Sequence, residues 1–106
     1  MVGELLFEVT TPLAFRVRCT RSHWEFIVTH KHPALRGREA EIERVLKDPD
    51  EVRLSRRDPE VFLFYRSSEP RWLCAVARRD DGSGFLITAY PTDNIKIGET
   101  VWTKSR

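Results

Sequence analysis

The chain has 106 residues, 41% hydrophobic and 32% charged, and its 18 basic and 16 acidic side chains leave a net charge of +2. This length suits one domain around one core, and the near balance of charge argues against the strongly basic footprint of a duplex binder. No apolar run approaches the roughly 18 residues of a membrane span, and Glu4 and Glu8 flank the short apolar patch at the start, which is not the pattern of a signal peptide; a single cytoplasmic domain over residues 1–106 is expected.

Residues 1–22 carry little periodicity and form a poorly assigned N-terminal segment, in which Leu13 to Val17 alternates loosely enough for a strand after the turn at Thr11-Pro12. From His23 to Thr29 the aromatic and β-branched residues favour a strand. Trp24, Ile27 and Val28 also fit one helical face, with Ser22 as a candidate N-cap. A short helix or turn running into extended chain is the expectation there.

Pro33 to Lys47 reads as the main amphipathic helix. Proline is favourable at a first helical position, where its missing N–H would be unpaired anyway. Leu35, Ile42, Val45 and Leu46 make the apolar stripe. Gly37 weakens its first turns by about 1 kcal/mol relative to alanine, so an irregular start is expected. Pro49 ends it, because the residue before a proline avoids helical geometry.

Glu51 to Arg56 is a short polar strand candidate. Val61 to Ser67, Trp72 to Arg78 and Phe85 to Tyr90 are three stronger ones, separated by Ser68-Glu69-Pro70 and by the glycine-containing loop Asp80 to Gly84. Loops of a few residues can join only antiparallel neighbours. The central strand residues are apolar on both faces, so the helix must cover one face, and the N-terminal segment, the tail or a partner must cover the other. The last strand candidate lies in residues 92–106, an edge segment with a frayed end at 103–106. The expected fold is α+β: one main helix and an N-terminal segment packed on an antiparallel meander of four strands or slightly more.

Cys19 and Cys74 lie in apolar, strand-like contexts and read as reduced packing residues. No metal-binding cysteine spacing occurs, and His23, His30 and His32 lack a suitably spaced acidic or cysteine ligand; neither metal nor cofactor is expected. The basic residues, mostly arginine, cluster locally, which suits bidentate phosphate contact as well as an ordinary solvated surface.

His30-Lys31-His32-Pro33 is the most unusual local cluster. Imidazole ordinarily titrates near neutrality and can shuttle protons, and a lysine beside it adds positive charge. The plainer alternative is a hydrogen-bonded His32 and a surface His30. On the strands, Arg66 and Arg78 lie near ends, and Thr88 and Tyr90 are two apart on one face. An arginine with a hydroxyl neighbour can hold phosphate and stabilise developing charge, although each could equally be sheet decoration.

From about His32 to Thr92 the chain also resembles a known pattern. His32-Pro33 opens a helix and Leu46-Lys47-Asp48-Pro49-Asp50-Glu51-Val52 closes it. A tyrosine-containing strand follows, then Trp72-Leu73-Cys74-Ala75-Val76-Ala77 and Gly84-Phe85-Leu86-Ile87-Thr88-Ala89-Tyr90. This is similar to small phage and bacterial domains grouped with the barnase, EndoU, colicin-type and RelE-like ribonucleases, which include toxins of toxin–antitoxin pairs. The resemblance implies a metal-independent endoribonuclease acting through 2′-hydroxyl attack. It places His32 at the helix-start histidine and Thr88 and Tyr90 at polar positions of the last strand. His30 is a second catalytic candidate. Lys31, Arg38, Arg66 and Arg78 are candidates for binding substrate. RNA and a small acidic antitoxin-like protein are the implied partners. The alternatives are a non-catalytic protein-interaction module of the same fold and a simple RNA-binding domain that uses arginine and aromatic side chains for stacking.

Overall fold

The computed structural model describes residues 3–105. They form an α+β structure with a seven-stranded mixed sheet and two short α-helices. The strands are β1 (Leu5–Thr10), β2 (Arg16–Thr20), β3 (Glu51–Leu54), β4 (Val61–Ser68), β5 (Arg71–Asp80), β6 (Ser83–Thr92) and β7 (Glu99–Thr103). Across the sheet their order is β1-β2-β6-β5-β4-β3-β7. Every neighbouring pair is antiparallel except β2 and β6, which run parallel. Between β2 and β3 the chain forms α1 (Arg21–Phe26), a π-helical turn (Ile27–Lys31), a 3-10 turn (Pro33–Leu35) and α2 (Glu39–Lys47).

The meander of β4, β5 and β6 follows the sequence pattern: in β4, Phe62 and Phe64 face one side while Leu63 and Tyr65 face the other. The expectation of an antiparallel meander of four strands or slightly more is corrected to a mixed sheet of seven: the segment before α1 adds a hairpin whose second strand runs parallel to β6, and β7 joins β3 at the other edge. β2 alternates buried Val17 and Cys19 with exposed Arg16 and Arg18, the pattern of a half-buried strand. The expected helix over 33–47 is corrected too. Gly37 adopts φ +83°, outside the helical region, and divides the segment into the 3-10 turn and the nine-residue α2. Only Ile42, Val45 and Leu46 of α2 are buried.

The main core lies between the helices and one face of the sheet. Val17, Ile27, Leu35, Ile42, Val45, Leu46, Val52, Phe64 and Leu86 are all inaccessible there or nearly so. Phe15 packs its ring on Phe62 and Phe64 at centroid distances of 5.7 and 6.2 Å. A smaller cluster occupies the opposite face, where Leu63, Tyr65 and Cys74 are buried with Trp72, Val76, Tyr90 and Ile95 against them.

The cover of that second face comes from the connection between β6 and β7. Four antiparallel steps separate these strands, so they point the same way and the link must cross the sheet. It runs diagonally over Tyr65, whose hydroxyl accepts the Lys96 backbone N–H at 3.1 Å. Arg53 Nη1 donates to the Lys96 carbonyl at 3.1 Å, so the crossover is held through both backbone groups of one residue. Past β7, Lys104 donates its backbone N–H to the Asp50 carbonyl at 3.0 Å and its ammonium pairs with Asp48 at 3.1 Å. No helix among the described residues is long and apolar enough to cross a membrane.

Candidate functional site

Two backbone irregularities build the candidate site. The first is in β6. Val76 of β5 lies opposite Thr88, but Ala77 lies opposite Leu86, so Ile87 is an extra residue, a β-bulge. Without it Leu86, Thr88 and Tyr90 would share a face. With it, Leu86 and Ala89 enter the main core while Thr88 and Tyr90 join the row of Val76 and Cys74 on the other face. The second irregularity is that β2 pairs with β6 only from Ser83 to Phe85. Thr20 then caps α1 by accepting the His23 N–H on its hydroxyl at 3.2 Å, and the chain turns away as helix.

The rest of the β6 edge is therefore flanked by α1 and the π-helical turn. His23 Nε2 is 2.9 Å from the Ile87 carbonyl, the residue that the bulge leaves out of the β5 ladder. A carbonyl can only accept, so Nε2 carries the proton. The π turn ends at His32, whose N–H donates back five residues to the Ile27 carbonyl at 2.7 Å. The His32 carbonyl accepts from Leu35 at 3.0 Å, so its backbone is fixed from both sides. Its imidazole rests against the Tyr90 ring, with 5.6 Å between centroids and 42° between planes.

Between these elements lies a cleft of about 620 Å³ lined by Phe26, Ile27, Lys31, His32, Ile87, Thr88 and Tyr90. That volume suits a small-molecule or nucleotide-sized site. The Thr88 and Tyr90 hydroxyls are buried without a hydrogen-bond partner. The Cys74 thiol and Tyr65 hydroxyl are near enough to Tyr90 to act on its ionisation, but neither meets its hydroxyl at the distance and angle of a hydrogen bond. A buried polar group left unpaired costs about 1–3 kcal/mol. Both residues belong to the β6 strip that lines this cleft. Burial pushes the Tyr90 phenol well above the usual tyrosine range, and pushes Tyr65 up to about 12 and Cys74 up to about 11. This row is neutral at physiological pH.

Around the cleft the polar side chains are basic or neutral. The Phe26 ring is about half exposed at 47%, with His30 against it at 5.2 Å, His23 stacked at 6.5 Å and the Lys31 ammonium 6.0 Å from its centroid. On the other side of His23 a smaller cleft is lined by Arg18, Cys19, Thr20, His23, Phe85 and Leu86, and Phe85 is also exposed, at 43%. Lys96 reaches over the Tyr90 ring from the crossover at 5.5 Å. Among the described residues, no carboxylate lines either cleft.

The structure thus brings together Lys31, His32, Thr88 and Tyr90. His30 is close in sequence but exposed, and its ring packs on Phe26. Arg78 is on the same sheet face as Thr88, yet its guanidinium is bound to Asp58 at 2.6 Å. Arg66 alternates with Tyr65 and so faces the helix side, where it binds the Asp48 carbonyl at 2.6 Å and carboxylate at 3.2 Å. Arg38 precedes α2 and is forked onto Glu41 at 2.8 and 2.9 Å. These three arginines do not converge on the cleft. Phe26, Phe85, Arg18 and Lys96 do border it or its neighbour, and nothing in the sequence marks these scattered aromatic and basic residues as a group. No family model matches the chain, and comparison with curated proteins and with solved structures finds no match.

Proposed function

We propose that this chain binds single-stranded RNA along the strip from Phe85 to Tyr90 and the flanking Phe26–His32 segment. The observation that carries this reading is the pair of buried, unpartnered hydroxyls on Thr88 and Tyr90 in a cleft whose charged wall is Lys31. A phosphate or a base edge would accept from or donate to those hydroxyls. Phe26 and Phe85 offer faces on which bases stack, a contact worth about 1–3 kcal/mol per base that every base can make. The absence of carboxylates from both clefts leaves the strip attractive to a polyanion although the whole chain carries only +2.

A test is fluorescence anisotropy with a labelled ten-nucleotide RNA of mixed sequence, at two salt concentrations. The expected result is salt-sensitive binding that weakens about tenfold in Lys31→Gln and again in Phe26→Ala. Binding that neither substitution changes would remove the reading. A small acidic protein could occupy the same strip, and competition between it and the RNA would identify that second partner.

Cleavage is a second reading, favoured by the position of His32 beside Tyr90. His32 would take the proton of a 2′-hydroxyl as its oxygen attacks the adjacent phosphorus. The bond from phosphorus to the 5′ oxygen would break, with that oxygen protonated by water, leaving a cyclic phosphate. The two arginines expected to neutralise the phosphate, Arg66 and Arg78, are bound to Asp48 and Asp58. Lys31 and Lys96 are the cations left for that task. Incubation of the protein with RNA in EDTA, alongside His32→Ala, separates the two readings: a cyclic-phosphate product lost in the variant supports cleavage, and intact RNA with both proteins leaves binding alone.

A further inference from the structure

The crossover that covers the second sheet face also closes a second cavity, of about 360 Å³, lined by Arg53, Ser55, Arg56, Arg57, Tyr65 and Lys96 among others. Its charge is one-sided. Arg53 is already committed, donating to Glu51 at 2.6 Å and to the Lys96 carbonyl at 3.1 Å. Glu51 is in turn occupied by Arg53 and by the Thr100 hydroxyl at 2.9 Å. Arg56, Arg57 and Lys96 make no ion pair among the described residues. Three like charges around one cavity repel one another unless an anion enters, and guanidinium forks match phosphate oxygens.

Lys96 joins this cavity to the His32 cleft. The residue lines the cavity, its backbone N–H is anchored on the Tyr65 hydroxyl at 3.1 Å, and its ammonium lies 5.5 Å from the Tyr90 ring centroid. Tyr65, Cys74 and Tyr90 are directly paired across β4, β5 and β6, so the two clefts lie at opposite ends of one row of side chains.

We infer that the Arg56–Arg57–Lys96 cavity is a phosphate subsite for the RNA backbone, taking a phosphate that flanks the nucleotide in the His32 cleft. This rests on the RNA reading above and sharpens it: the ligand is an oligonucleotide held at two places, rather than a mononucleotide.

The experiment compares wild type, Arg56→Gln/Arg57→Gln and Lys31→Gln, each checked for unchanged circular dichroism. Three probes are used: a fluorescein-labelled ten-nucleotide single-stranded RNA, adenosine 5′-monophosphate, and inorganic pyrophosphate in a thermal-shift assay. Arg56→Gln/Arg57→Gln is expected to weaken binding of the ten-nucleotide RNA about tenfold and to lower its salt slope by about 1. Adenosine 5′-monophosphate binding should stay unchanged in that variant and fall in Lys31→Gln. Wild-type affinity and salt slope for the RNA in the double variant would overturn the inference. If wild type binds no RNA, the RNA reading fails, and pyrophosphate then decides the cavity separately. Stabilisation of wild type but not of the double variant keeps a phosphate site there, and equal or no stabilisation removes it.

Discussion

Tyr90→Phe separates a ligand-binding hydroxyl from a structural one, because the two roles predict opposite signs for stability. The substitution removes one oxygen and keeps the ring that packs against His32 and lies beneath Lys96. In the free protein that oxygen is buried and unpaired, so its loss relieves a desolvation penalty of about 1–3 kcal/mol, of which about 1 kcal/mol is a cautious share. For a domain of this size about 1 kcal/mol moves the melting temperature by roughly 4–8 °C. The variant should therefore melt several degrees higher. If the hydroxyl meets a phosphate, RNA affinity should fall by about 1.5–3 kcal/mol, the range for a hydrogen bond to a charged group, or roughly 10- to 150-fold. Calorimetry and anisotropy on one preparation measure both. A variant that melts lower and binds RNA as wild type does would refute the reasoning, since it would mean that the hydroxyl serves the fold through Cys74 or Tyr65. Thr88→Val, which replaces the other unpaired hydroxyl with a methyl group, should move both quantities in the same directions.

Three further outcomes follow from the fold. Cys19, Cys74, Tyr65 and Tyr90 all hold their protons more tightly when folded, chiefly through burial, so the native state binds more protons than the unfolded chain above about pH 9 and stability must fall from there towards pH 12. Both of the chain's 2 tyrosines belong to this set, so tyrosinate absorbance should stay low at pH 10.5 and rise with unfolding; early ionisation without unfolding would contradict the burial. On the acid side, Arg38 holds the Glu41 carboxyl low through a hydrogen bond, Lys104 chiefly does so for Asp48, and the Glu60 N–H followed by Arg78 does so for Asp58. Their contribution is complete above the unfolded values of 4.5 and 3.8 and is lost as pH falls through the lower folded values, so Arg78→Gln should flatten the stability profile below about pH 4 in urea titrations; a profile unchanged from wild type would count against the pair. Gly84→Ala should cost about 1–3 kcal/mol in urea unfolding, because a Cβ there would overlap the Arg78 carbonyl where β6 meets both β5 and β2; a wild-type midpoint would show that the hairpin end yields freely.

The hairpins of β4, β5 and β6 were legible because their side chains are aromatic or β-branched and their turns carry the right residues. The α1 and π-helical segment was legible only as an ambiguity, since Trp24, Ile27 and Val28 serve either geometry. β2 is only partly legible, because its alternation of Val17 and Cys19 with Arg16 and Arg18 is short and ends at Thr20. The bulge at Ile87 left no local mark, since Phe85, Ile87 and Ala89 alternate plausibly without it. Its consequence, Thr88 and Tyr90 together on one face, agrees with the simple two-residue spacing. Arg38, Arg66 and Arg78 looked free in sequence because their partners Glu41, Asp48 and Asp58 are recognisable only after folding, and a local charge cluster does not distinguish a bound guanidinium from an available one. Lys96 is not legible in the sequence, because its place depends on the path of a crossover over Tyr65.

RNA binding in the cleft between the π-helical turn and β6 is tested by amide chemical-shift mapping during titration with the ten-nucleotide RNA. The largest changes are expected at Lys31, His32, Ile87, Thr88 and Tyr90, with a second group at Arg56, Arg57 and Lys96. Changes centred on Arg38, Glu41 and Arg66 on the helix side, or none at saturating RNA, would contradict it.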